Sequence, residues 1–292
     1  MRRDAHIAGW QVRPGEDSAD ALTSCLAGLV VDEIDGVVIG LGPGVDPGVA
    51  RLAVLAAGVP ADVPVQVCVG SDASHVALQM AALGVLSGYH RRVLVGGLAA
   101  SVGPWPPAGR TEDLDWRFSH VDDAEQTGHR LQAFPVDAES WFGRHGDAMS
   151  GDLLALAERG AGAVGLRVSV DEDGPRITSL AGGGADPATS AVALERSAHR
   201  ALHHVQLGID EIDLVMVSQD RPGDRAATAM AMDVALERVI DPPELAPAVR
   251  AVAGLPLLLK RLGEQDGRHA MLLSGGPDGL ARATVLDTAR FE

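Results

Sequence analysis

The 292 residues are 46% apolar, enough for one large or two modest domains with a substantial core, but only 3% are aromatic, so that core is mostly Ala, Val and Leu. A net charge of −16 with no Lys/Arg stripe argues against a nucleic-acid role, and no apolar run approaches the roughly 20 residues that a membrane span needs. The start, MRRDAHIAGWQVRPGED, turns charged and Pro-containing too soon for a signal peptide, so a soluble cytoplasmic protein is expected.

In chain order, residues 5–10 read as a first strand, and Asp17 to Gly28 as a helix opened by Asp17 or Ser18 and closed by Gly28. The tetrad Asp32-Glu33-Ile34-Asp35 leads into a strand at Val37 to Ile39. The Gly- and Pro-rich LGPGVDPG is a turn at its end, and Arg51 to Gly58 is the next helix. Val63 to Val69 reads as a buried strand ending in a sharp turn at Gly70-Ser71. A helix follows, with apolar residues at Val76, Leu78, Met80, Ala81 and Leu83, and then a strand at Val93 to Val95. A polar residue on such a strand-to-helix elbow, beside the free N–H groups of a helix start, suits chemistry. It equally suits a plain turn capped by Ser71 or Asp72.

Ser101 to Gly151 differs in composition. It holds Trp105, Trp116, Trp141, Phe118, Phe134, Phe142, His120, His129 and His145, and reads either as a contact surface or as a small satellite core. Its histidines have no HxxxH or HxH spacing, and Cys25 and Cys68 form neither a disulfide framework nor a metal pattern. No metal and no cofactor is therefore expected.

Beyond that segment, the Gly/Ala-rich run Arg159 to Val164 reads as a strand needing close backbone approach, and VDEDGPRITSL as a hairpin turning at Asp173-Gly174. Ser197 to Gly208 is a helix, and Asp210-Glu211-Ile212-Asp213 leads into a strand at Leu214 to Val217. The two DEID tetrads lie 178 residues apart, and Gly96-Gly97 and Gly275-Gly276 lie 179 apart. Two landmarks in nearly one register mean an internal duplication of α/β units. The halves are drawn at 1–150, including the aromatic insert at 101–150, and at 151–292.

The block from Gln66 to Gly97 resembles the nucleophile segment of the thiolase superfamily, in particular β-ketoacyl-ACP synthase III, where a strand ends at a cysteine that opens a buried helix. Counted back from Gly96-Gly97, that cysteine position falls on Ser71, and Ala77 matches the small residue of the family helix. Arg159 to Val164 resembles the family's Asp-Gly-Ala-Gly-Ala-Val run, with Arg159 in place of the aspartate. The resemblance implies an α/β fold of the thiolase-like kind, a five-layered α-β-α-β-α duplication with two core helices buried between sheets. By their small apolar residues, ASHVALQMAALGVL and RAATAMAMDVALE fit those helices. The resemblance also implies that the insert covers the active site and helps to form a dimer interface.

Condensing enzymes need a thiolate, a proton-moving histidine and donors for the oxyanion. The His-Gln-Ala-Asn run of the synthase III pattern here becomes Ser218-Gln219-Asp220-Arg221. The asparagine six residues before an Ile-Pro pair becomes Val249, ahead of Leu255-Pro256. The three catalytic positions are thus Ser71, Ser218 and Val249. His75, one turn after Ser71, is either a base for it or a hydrogen-bonded core residue. Cys68, three residues early, is a second candidate nucleophile.

The resemblance therefore implies a catalytically degenerate subunit. It would pair with an active condensing-enzyme homologue and shape its acyl pocket, as in heterodimeric enzymes that make alkylquinolones or aromatic polyketides. Self-pairing stays open. Acyl-CoA or an acyl carrier protein would be met through the partner, because the strongly acidic chain repels an acidic carrier. Interface residues are expected near Val63 to Val69, Leu86 to His90 and the insert. The alternative is an acyltransferase in its own right, with Ser71 as nucleophile, His75 as base, and N–H groups near Ser71 and Gly276 as oxyanion donors. A third reading is a ligand-binding or scaffold protein on the same fold.

Overall fold

The computed structural model describes residues 4–15, 18–31, 33–42, 45–70, 72–99, 161–184, 190–218, 224–275 and 280–288. Its first half runs β1 (Ala5–Pro14), α1 (Ala19–Ala27), β2 (Gly36–Leu41), α2 (Gly48–Ala56), β3 (Val65–Val69), α3 (Ala73–Ser87), β4 (Arg92–Ala99) and β5 (Gly162–Ser169). The second runs β6 (Arg176–Gly184), α4 (Ser190–Val205), β7 (Leu214–Ser218), α5 (Asp224–Ala231), β8 (Val239–Ile240), α6 (Pro247–Ala253), α7 (Leu255–Glu264), β9 (His269–Gly275) and β10 (Leu280–Asp287).

The strand order is β3-β2-β4-β5-β1-β6-β10-β9-β7-β8, a five-strand arrangement followed by its own mirror. In each half the outer three strands are parallel and the fourth runs antiparallel. β2 opens at residue 36 and β7 at residue 214, the 178-residue spacing of the tetrads. Hydrogen bonding joins the halves into one ten-stranded sheet, but only two residue pairs carry the junction, Ala5 with Ile177 and His6 with Arg176.

Alternation along the strands sorts the side chains into three cores. Val37, Ile39, Leu41 and Leu94 pack outward against α1 and α2. Val215, Val217, Met271 and Leu273 pack outward against α4 and α5. The opposite faces, with Val38, Val93, Val95, Leu214, Met216 and Leu272, enclose α3, α6 and α7. Helix, half-sheet, helix, half-sheet and helix therefore form five layers.

The repeated tetrads have a shared physical role. The Asp35 carboxylate accepts the backbone N–H groups of Arg91 (2.7 Å) and Arg92 (3.1 Å), while its own N–H donates to the Arg92 carbonyl at 3.1 Å. Asp213 accepts from the backbone N–H groups of Arg268 (2.7 Å) and His269 (2.9 Å) and donates to the His269 carbonyl at 2.9 Å. Each aspartate thus ties the entry of one parallel strand to the start of its neighbour.

Three expectations are corrected. The second buried helix is α6, which packs on α3, whereas Arg225 to Glu237 contributes to the outer helix α5. Both stretches are rich in small residues, so composition alone did not separate them. Asp173-Gly174 is a turn but no hairpin, because β1 lies between β5 and β6. A Cβ on Gly174 would sit 2.1 Å from the Ile7 carbonyl oxygen, so β1 demands glycine there. Finally, β5 lies in the sheet of the first half, so the repeat divides between β5 and β6 and not at residue 150. The insert at Ser101 to Gly151 lies outside the described residues. Among the described residues no helix is long and apolar enough to cross a membrane.

Asp213→Ala should lower the unfolding free energy by about 2 kcal/mol, from loss of two charge-assisted bonds to backbone donors, and Asp35→Ala by a similar amount. Urea denaturation of the two variants measures both. An unchanged midpoint in either would contradict a shared role for the tetrads.

Candidate functional site

The elbow is built where β3 ends and α3 begins. Helix α3 is apolar on nearly every side and ends at Gly88, whose φ of 79° closes the last turn. Its first turn lies against the ends of β2 and β4, an approach that requires glycine. A Cβ on Gly40 would come within 2.4 Å of the Ala73 carbonyl group. One on Gly97 would lie 2.6 Å from Val164, 3.1 Å from the Ser74 Cβ and 3.2 Å from Val249.

The polar face of α3 looks to the second half. His75 is fully buried, with Nδ1 2.6 Å from the Ser274 hydroxyl and Nε2 2.8 Å from the Thr284 hydroxyl. One ring nitrogen donates and the other accepts, the arrangement of a neutral imidazole. Burial, aided by the positive charge of Arg282, pushes the His75 pKa down to about 3. One turn on, Gln79 Nε2 donates to the carbonyls of Ala181 (3.2 Å) and Ala283 (3.0 Å). At the helix start, Arg282 Nε donates to the Asp72 carboxylate at 2.7 Å.

The positions expected from the sequence are brought together in part. Ser218 ends β7, is buried, and lies opposite Ser274 in the β7–β9 ladder, beside the hydroxyl that holds His75. Val249 is fully buried in α6 and shares the environment of Gly97 with Ser74. The Ser74 hydroxyl is buried and meets no hydrogen-bond partner among the described residues. Ser71, Gln219 to Arg221 and Gly276 lie outside the described residues. Cys68 Sγ sits 3.3 Å from the Ala73 carbonyl oxygen and 3.5 Å from that of Ile39. Burial, and then the negative charge of Asp72, push its pKa up to about 11, so at neutral pH it is a thiol and a weak nucleophile.

Sequence reasoning missed Ser274, Thr284, Gln79 and the Asp72–Arg282 pair. A usable signal existed: Arg282 and Thr284 lie two apart on an otherwise apolar strand, and His75 and Gln79 lie four apart on an apolar helix. Both spacings place polar groups on one buried face.

No family model matches the sequence, and no curated protein matches it at a significant level. Solved structures do match. The acetyl-CoA acetyltransferase of Bacillus anthracis superposes with a TM-score of 0.70 at 14% identity, over 98% of this chain and 99% of that one. Human mitochondrial 3-ketoacyl-CoA thiolase gives 0.67 at 15% identity, over the same shares. The chain has the thiolase fold. At this identity the likeness is one of architecture, and the thiolase fold accounts for the mirrored half-sheets and for the place of α3 between them.

The His75 environment sets a pH dependence. With a pKa of about 3 when folded and an ordinary value near 6.5 when unfolded, His75 binds more protons in the unfolded chain between those limits. Its contribution is complete above about pH 6.5, and stability is lost as pH falls below that value, by about 1.4 kcal/mol per unit. Between pH 7 and pH 5 the wild type should lose about 2 kcal/mol more than His75→Asn does, read by urea denaturation at each pH. Equal losses would mean that His75 is not held neutral.

Proposed function

We propose that this chain is a catalytically degenerate β-ketoacyl-ACP synthase III-like subunit that pairs with an active condensing-enzyme homologue and shapes its acyl pocket. The carrying observation is the chemistry around the first turn of α3. The histidine position holds Ser218 and the asparagine position holds Val249, both buried. The one histidine at the elbow among the described residues has both ring nitrogens engaged and a pKa of about 3. No described side chain there combines a free lone pair with a pKa near neutrality, as general base catalysis requires.

The surface at β3 supports the pairing. β3 is an edge strand, with Val67 40% and Val69 56% exposed, and Leu83 (56%) and Tyr89 (77%) lie on and just beyond α3. An unpaired edge with apolar side chains is what a second sheet covers. These residues overlap the interface expected at Val63 to Val69 and Leu86 to His90. In this reading acyl-CoA or an acyl carrier protein is engaged by the partner.

A second reading, an acyltransferase acting alone, is favoured by one observation: the two solved structures named above carry names of acyl-transfer or thiolytic enzymes. In it the Ser71 hydroxyl oxygen attacks the thioester carbonyl and the C–S bond breaks. Coenzyme A leaves as the thiol with the proton given up by the hydroxyl.

Two measurements separate the readings. Purified chain incubated with acetyl-CoA should keep its intact mass under the first reading. An added acetyl group lost in Ser71→Ala would establish the second and refute the first. Co-expression with an active condensing-enzyme homologue should give a 1:1 complex on size exclusion, abolished by Val69→Glu combined with Leu83→Glu. Elution of the two chains apart would remove the basis for a partnered subunit.

A further inference from the structure

Helix α4 buries Ala193, Leu194, Ala198, Ala201 and Leu202 against β6, β9 and β10. Its outward face is rich in arginine and histidine. Arg196, His199, Arg200, His203 and His204 are exposed, and from residue 192 to the helix end no other residue is. Spacings of three and four place them on a single stripe, about 12 Å long at the helical rise. The equivalent helix of the first half, α1, exposes Asp20, Ser24 and Ala27, so the architecture does not demand cations at this place. The sequence expectation began this helix at Ser197, which cut Arg196 from the stripe.

The two arginines are fixed in place without being neutralised. β6 ends in Gly182-Gly183-Gly184, and a Cβ on Gly183 would lie 2.7 Å from the Ser197 hydroxyl, so helix and strand approach closely. Arg200 Nη1 donates to the Gly182 carbonyl at 2.8 Å and Arg196 Nη1 to the Gly184 carbonyl at 3.3 Å. Carbonyls orient a guanidinium but leave its charge and its remaining N–H groups available. Among the described residues the one carboxylate within ion-pair reach of the stripe is Glu195, 3.8 Å from His199 Nε2.

We propose that this stripe docks a short acidic segment of another protein, whose carboxylates take the unused N–H donors of Arg196 and Arg200. The scale of the stripe selects that partner. At physiological salt, charges are screened beyond about 8 Å, so a compact anion on the stripe escapes most of the repulsion from the rest of the chain. A nucleic-acid duplex or an anionic bilayer extends past the stripe and meets the surface of a chain with a net charge of −16. The docking stands on α4 alone and is independent of what the elbow does.

A short fluorescein-labelled polyglutamate peptide, titrated with the full chain at physiological salt and followed by anisotropy, tests it. Saturable binding is expected, weakened about tenfold or more by R196E with R200E, less by R196Q with R200Q, and unchanged by K260E with R261E on α7. The graded pair of variants and an unaltered circular dichroism spectrum separate loss of charge from loss of fold. No saturable binding by the wild type, an equal loss in the α7 variant, or equally tight binding to duplex DNA or phosphatidylglycerol vesicles would overturn the proposal.

Discussion

A largely buried helix needs partners for the polar groups that it buries, and α3 buries three, Ser74, His75 and Gln79. His75 and Gln79 lie on one face, and an unsatisfied buried group of this kind costs about 1 to 3 kcal/mol. Their partners are the hydroxyls of Ser274 and Thr284 and the carbonyls of Ala181 and Ala283, all from the second half. The two half-sheets share only two residue pairs, both between β1 and β6. The polar face of α3 is thus what specifies their register, while the apolar remainder of the helix supplies burial without direction.

The sequence made part of this legible. The tetrads marked the duplication because their final aspartates do the same work twice, and a repeated physical need leaves a repeated residue. The elbow was visible because a period-two run changes to a helical one at Gly70, between glycines that close packing demands. What stayed hidden depended on tertiary choice. That β1 inserts between β5 and β6 is a matter of topology, which no turn at Gly174 encodes. That α6 and not α5 enters the central layer follows from which flanks it meets. The insert holds most of the aromatic residues and lies outside the described residues, so its expected part in an interface rests on composition and on the resemblance alone.

The candidate site combines close backbone packing with buried polar side chains. Glycines at 40 and 97 allow the close backbone approach at the elbow, and the histidine gathered there is held by two hydroxyls. An imidazole held by two hydroxyls and stripped of solvent is a good structural element and a poor base, since protonating it means burying a cation beside Arg282. Val249 packs against Gly97, an apolar contact. The Ser74 hydroxyl, buried beside them without a partner among the described residues, is a polar remainder in a region otherwise turned to packing.

Charge shows the same separation of roles. Forty acidic against 24 basic side chains make the molecule as a whole an electrostatic repellent for other acidic proteins. In the first half and at the seam, several arginines are spent on carboxylates, as Arg167 is on Glu172 and Arg176 on Asp287. On α4 they are held by carbonyls, which orient without discharging. Within a Debye length of that helix, the sign of the local field is set by the stripe and not by the total, so net charge alone misjudges which partners the surface admits. The elbow and the stripe lie on different layers of one framework, which lets the interior be specialised for packing while an outer helix diverges from its twin α1 under no constraint from the core.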